Sequence, residues 1–183
     1  MRLTRNETLL VIIDVQERLM PAIDGGDPLI RNMVSLVHGC HRLGVPIVVT
    51  EQNPRGLGNT VEAVREALES TTGFRPIEKT CFSAAGSDRF LDVVNVAQRK
   101  HLLVAGVEAH VCVYQTAMDL MSKGHEVSII ADAVSSRTPL NRSIALQRLT
   151  AEGAHITSTE MCLFELVEGS GTDEFRAILR LVK

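Results

Sequence analysis

Short runs dense in Val, Ile and Leu recur along the chain at residues 9–14, 46–50, 77–80, 101–106, 126–131 and 154–157. They do not alternate polar with apolar residues. A strand that is apolar on both faces belongs in a sheet covered on both faces, which is the parallel arrangement. Between the runs lie helical patterns at 28–43, 61–68, 88–98, 111–123 and 141–152, and further ones follow at 159–167 and 173–182. Gly44, Gly124 and Gly153 each stand between a helical pattern and the next apolar run, where a helix C-cap is expected. The expected fold is therefore α/β, a three-layer α/β/α Rossmann-like sandwich around a mostly parallel six-stranded sheet with right-handed crossovers. A chain of 183 residues without linker, repeat or low-complexity stretch reads as one domain over 1–183. At that size a single fold buries roughly 70% of its unfolded surface and needs no metal or disulfide staple.

Composition narrows the partners. Five Phe, one Tyr and no Trp leave few rings on which bases can stack, and 19 basic against 22 acidic residues give a net charge of -3. Neither a nucleic acid nor an anionic membrane suits such a surface. The apolar run 9–13 is too short for a signal peptide or a membrane span. Cys40, Cys81, Cys112 and Cys162 are far apart and form no C-x-x-C pair, which fits free thiols in a reducing cytoplasm.

In open α/β sheets ligands bind beyond the carboxyl ends of the strands. Three reactive side chains fall there. Asp14 ends the first apolar run, Lys79 lies at the end of the third, and Cys112 follows the fourth at a helix start. Taken singly, each has an ordinary explanation: an Asp after a strand commonly caps a helix, and a Cys among apolar residues is commonly a small hydrophobe. Lys79 is less ordinary, because an ammonium in an apolar strand requires a partner, and Asp14 is the candidate. Together the three groups suit nucleophilic catalysis. A helix N-terminus and the Lys79 ammonium both favour a Cys112 thiolate, and Asp14 can take the thiol proton and return it to a leaving group. Lowering the thiol from about 8.5 to about 6.5 would require about 2.7 kcal/mol of differential interaction.

The residues around these positions resemble the signature blocks of the isochorismatase-like cysteine hydrolases. The blocks are Leu10-Val11-Ile12-Ile13-Asp14-Val15-Gln16, the isolated Lys79, Gly106-Val107-Glu108-Ala109-His110-Val111-Cys112-Val113 and Ala131-Asp132-Ala133-Val134-Ser135-Ser136. The resemblance implies an Asp14-Lys79-Cys112 triad and hydrolysis of a C–N bond in a small amide-like substrate through an acyl-enzyme. It also implies a cis Val107–Glu108 peptide, an oxyanion hole from the backbone N–H groups of Glu108 and Cys112, and a homo-oligomer. Vinyl-ether-cleaving members often lack the cysteine, so amide chemistry is favoured; vinyl-ether hydrolysis and a non-catalytic binding or scaffolding role remain alternatives. The nicotinamidase branch carries a His-containing metal set after the second strand. Here Thr50-Glu51-Gln52-Asn53-Pro54-Arg55-Gly56-Leu57-Gly58 has no His, so no metal and no cofactor are expected. Leu19 stands where that branch has an aromatic, which favours a small aliphatic or polar substrate over a flat ring.

Further expectations concern single residues. Gln16, Leu19, Asn53 and Phe82 are the candidate substrate contacts, Gln16 being equally able to orient the triad. Arg55 shares the Asn53 loop and is a weaker candidate for the same contact. His110, two residues before Cys112, faces away from it. Asp132 braces or caps. Phe175, Ile178, Leu179 and Val182 form a stripe that serves either a partner chain or the chain's own core.

Overall fold

The computed structural model describes residues 2–72 and 74–183, with nothing said of the Thr72 side chain. Six strands form one sheet: β1 (Thr8–Ile13), β2 (Ile47–Gln52), β3 (Ile77–Lys79), β4 (His101–Val107), β5 (Glu126–Ser135) and β6 (His155–Thr157). Their order is β3-β2-β1-β4-β5-β6, and every pairing is parallel. Among the described residues eight α-helices accompany them: α1 (Gly26–Arg42), α2 (Pro54–Leu57), α3 (Glu62–Thr72), α4 (Asp88–Ala97), α5 (Tyr114–Ser122), α6 (Pro139–Ala151), α7 (Thr159–Val167) and α8 (Asp173–Val182). Among the described residues no helix is long and apolar enough to cross a membrane.

The unalternating strands are explained by the two cores they separate. Leu10, Ile12 and Val49 face a layer built from α1, α3, α7 and α8, which contributes Met33, Leu36, Leu68, Leu163 and Ile178. Leu9, Val11, Ile13 and Ile77 face the opposite layer, where α4, α5 and α6 contribute Phe90, Val94, Leu120 and Leu149. All six residues of β1 and all seven of β4 are buried. The α8 stripe serves the chain's own core. Ile178 is fully buried, and Phe175, Leu181 and Val182 pack against the first layer. Leu179, the remaining residue of the stripe, is half-buried and is not among the residues packed on that layer.

The chain leaves β1 outward to β2 and β3, then returns to place β4 on the other side of β1. The carboxyl ends of β1 and β4 therefore flank the point where strand order reverses, the position at which an open α/β sheet leaves a crevice. Gly106 tightens this junction. It pairs with Ile13, has φ +119°, and a Cβ built there would lie 2.0 Å from the Ile13 carbonyl oxygen. Only glycine lets β4 approach β1 this closely just before Asp14. After Val107 the chain enters a single π-helical turn, Ala109–Val113, which leads into α5 and carries Cys112.

Candidate active site

Asp14 leaves β1 with φ 52°, a left-handed conformation that Asp tolerates better than most residues. Its carboxylate is fully buried, and each oxygen accepts a hydrogen bond. Oδ2 accepts from Lys79 Nζ at 2.6 Å and Oδ1 accepts from Thr50 Oγ1 at 2.7 Å. Lys79 is buried as well, and its ammonium faces three further acceptors: Gln52 Oε1 at 2.8 Å, the Phe82 carbonyl at 3.1 Å and the Cys81 carbonyl at 3.2 Å. Four oxygens around three N–H bonds hold the lysine as a fixed cation. The loop that supplies the two carbonyls is tied to α5, where Ser83 Oγ donates to Asp119 at 2.6 Å and the Ala84 N–H donates to Thr116 Oγ1 at 2.8 Å. The helix that follows Cys112 thus also anchors the loop that cradles Lys79.

Cys112 is 7% exposed, and Asp14 and Lys79 both lie close enough to act on its ionisation. The thiol is raised to about 12: burial is the largest cause, the Asp14 carboxylate pushes the same way, and the Lys79 ammonium only partly opposes them. The lowered thiol expected from the sequence is therefore corrected. Lys79 is already paired with Asp14, so the thiol feels a nearly neutral pair inside a dry site rather than a free cation. In this arrangement Cys112 rests as a thiol beside a carboxylate.

The Val107–Glu108 peptide is cis, as the resemblance implied. The Glu108 carbonyl accepts from the Val111 and Val113 N–H groups at 3.0 and 3.2 Å, which ties the turn to the end of β4. The Glu108 carboxylate is held by Arg137, whose backbone N–H and Nε both donate to Oε2. His110 points to Ser136, with Nδ1 at 3.0 Å from Oγ. Asp132 caps α7 by accepting from the N–H and Oγ1 of Thr159.

The candidate contacts separate. Gln16 is fully buried and its amide braces backbone: Nε2 donates to the Gln52 and Gly58 carbonyls, and Oε1 accepts the Gln52 N–H. This corrects the substrate contact expected of it, because both amide hydrogens are already used. Leu19 packs on the edge of the first core layer. Asn53 is exposed, with φ 39°, and walls a cavity of about 510 Å³ together with Arg55, Thr80 and Cys81. That cavity reaches the Asp14–Lys79 pair at Lys79, and Cys112 is not in its wall. The Phe82 side chain is 54% exposed. Thr50, Gln52 and Arg137 are the partners that the sequence reading missed. Gln52 pairs in register with Lys79 and Thr50 with Ile77, so strand parity places both on the Lys79 side of the sheet once β2 is seen to run on to Gln52.

The comparisons with known proteins agree with this layout. The family model described as "Isochorismatase domain" matches residues 8–161. The chain is 39% identical over its whole length to the secreted isochorismatase effector Isc1 of Phytophthora sojae, covering 87% of that protein. It is 38% identical over 93% of its length to isochorismatase domain-containing protein 1 of Danio rerio, of which it spans 59%. The structure of the MAR1 ribonuclease from Caenorhabditis elegans superposes with a TM-score of 0.93 at 32% identity, covering all of this chain and 92% of that one. The YcaC gene product of Escherichia coli, described as an octameric hydrolase of unknown specificity, shares the fold at a TM-score of 0.87 and 21% identity, covering 99% of this chain and 87% of that one. With a family match spanning most of the chain and relatives well above 30% identity along nearly all of it, the protein belongs to the isochorismatase domain family.

Proposed function

We propose that the protein hydrolyses the C–N bond of a small amide-like substrate through an acyl-enzyme on Cys112. The observation that carries this reading is a buried thiol beside a buried carboxylate whose oxygens are fixed by Lys79 and Thr50. Such a thiol reacts when its proton leaves as the new bond forms. Sγ attacks the carbonyl carbon while its proton passes to Asp14, and the oxyanion that develops is received by the backbone N–H groups of Glu108 and Cys112. Asp14 then returns the proton to the departing nitrogen as the C–N bond breaks, leaving a thioester. Water attacks the thioester, giving its proton to Asp14. The acid departs, and the Asp14 proton restores the thiol. Lys79 stays hydrogen-bonded to Asp14 and steadies the negative charge in transit.

Asn53, Phe82 and Leu19 are the side chains we place around the substrate, with no metal or cofactor required by the residues. A homo-oligomer is part of the same proposal, supported by the octameric assembly described for the E. coli neighbour, and so is a reducing cytoplasm in which the four free cysteines stay reduced. The nematode neighbour is called a ribonuclease, which raises RNA cleavage as a second reaction. The net charge of -3 and the 3% aromatic content give RNA little to hold. Ammonia release from a panel of small amides, nicotinamide and carbamoyl compounds, with an RNA-cleavage assay alongside, tests the reading. Release that vanishes in Cys112→Ala and in Asp14→Asn supports it. Release that survives Cys112→Ala, or RNA cleavage that is lost with Cys112 while no amide is consumed, overturns it.

A further inference from the structure

We infer that Gln52 is a positioning residue for Lys79, and that it has to be neutral. The inference rests on the nucleophile reading of Cys112 and goes beyond it. Two glutamines act in series. The Gln16 amide grips the backbone of Gln52 on both sides, with Oε1 accepting the Gln52 N–H at 2.7 Å and Nε2 donating to the Gln52 carbonyl at 3.0 Å. Gln16 Nε2 also donates to the Gly58 carbonyl at 2.7 Å, closing the loop after β2 over this contact. Gln52 repeats the grip one strand further out. Its Oε1 accepts from Lys79 Nζ at 2.8 Å and its Nε2 donates to the Thr80 carbonyl at 2.8 Å. The ends of β1, β2 and β3 are thereby tied by side-chain amides where the sheet's own hydrogen-bond ladder stops.

The consequence is electrostatic as well as mechanical. Asp14 already matches the Lys79 charge. A neutral acceptor at the position of Gln52 Oε1 fixes the ammonium without cancelling what remains of its field at Cys112, whereas a second carboxylate there would leave the group net negative and hold the thiol proton harder. An amide also has the donor that Thr80 needs, which an ionised carboxylate lacks.

The test reads the thiol directly. Cys112 alkylation by iodoacetamide, resolved by peptide mass spectrometry, is followed against pH in the wild type, Gln52→Glu and Gln52→Met. We expect Gln52→Glu to move the alkylation profile up by about one pH unit, which is about tenfold in rate at fixed pH, and Gln52→Met to lower the rate severalfold without moving the profile. Gln16→Met, which loosens the grip on Gln52, should resemble Gln52→Met. Wild-type rates and profiles in all three variants would overturn the inference, and so would equal losses in Gln52→Glu and Gln52→Met on one unmoved profile, which describe a scaffold role alone. Should Gln52→Glu not fold, wild-type alkylation in Gln52→Met and Gln16→Met decides against the inference, and a slowed thiol in both supports its positioning part. Amide hydrolysis that survives Cys112→Ala would sink the nucleophile reading while leaving this measurement of the thiol intact.

Discussion

The Asp14–Lys79 pair sets the energetics of the site at the level of single residues, because both side chains are fully buried. A buried ion pair is weak evidence for stability in itself, yet removing one partner strands the other charge in a dry interior. Lys79→Met should therefore cost about 3–5 kcal/mol in urea unfolding. Adding Asp14→Asn to it should recover part of that loss, because the stranded carboxylate is gone. Two residues this close are expected to couple by about 1–3 kcal/mol. Additivity of the two single costs would show that Thr50 and solvent already satisfy Asp14 without the lysine. Activity separates from stability here. The double variant should regain part of the stability but lacks the base and the cation of the proposed mechanism, so amide turnover should stay at the level of Cys112→Ala.

Secondary-structure elements explain why most of the layout is legible in the sequence and part is not. Strands β1 and β4 are apolar on both faces, so their composition announces a covered parallel sheet without any tertiary information. Helices α7 and α8 fall where their amphipathic spacing puts them, each behind an N-cap that accepts a backbone N–H, Ser158 for one and Thr172 for the other. The continuation of β2 to Gln52 is not legible, since Glu51 and Gln52 are polar and resemble the start of a loop. Burial of Glu51 depends on Thr60, which returns from a distant turn to donate to it through both N–H and Oγ1. The extension of β5 to Ser135 is hidden in the same way by a register irregularity opposite Val104 and Gly106. The direction of the Cys112 shift depends first on burial and then on which charges are already paired, neither of which spacing along a chain reports. Gly106 is where element packing can be tested. Gly106→Ala drives a Cβ into the Ile13 backbone and asks a non-glycine residue to hold φ +119°. Backbone has nowhere to yield in the centre of the sheet, so a loss on the order of 4 kcal/mol or more is expected, read as a lowered urea midpoint or as insoluble expression. A variant with near wild-type stability would mean that β4 can slide away from β1 without disturbing the sheet.

Across the whole molecule three of the four thiols lie in dry places, and this gives its stability a particular dependence on pH. Cys40, in the layer between the sheet and α7, is pushed by burial from its ordinary 9.0 up to about 12, and burial likewise raises Cys162. A raised acid keeps its proton in the folded state after the unfolded chain has released it. The contribution is therefore fully present below about pH 9 and is lost as pH climbs towards 12. For each such thiol the slope approaches about 1.4 kcal/mol per pH unit once the unfolded form is ionised. Lysine and tyrosine titration add to the same alkaline fall, so the informative quantity is a difference between variants. Cys40→Ala removes one titrating thiol while leaving α1 and α7 in contact. Urea unfolding at several pH values between roughly 8 and 11 should give stabilities for this variant that start below wild type near pH 8, by about 1 kcal/mol for the small volume lost. The two curves should then converge as pH rises and cross before pH 11, because the wild type alone loses the Cys40 term. Parallel curves over that range would show that Cys40 ionises in the folded protein as readily as in the unfolded one, and that the layer beneath α7 admits water.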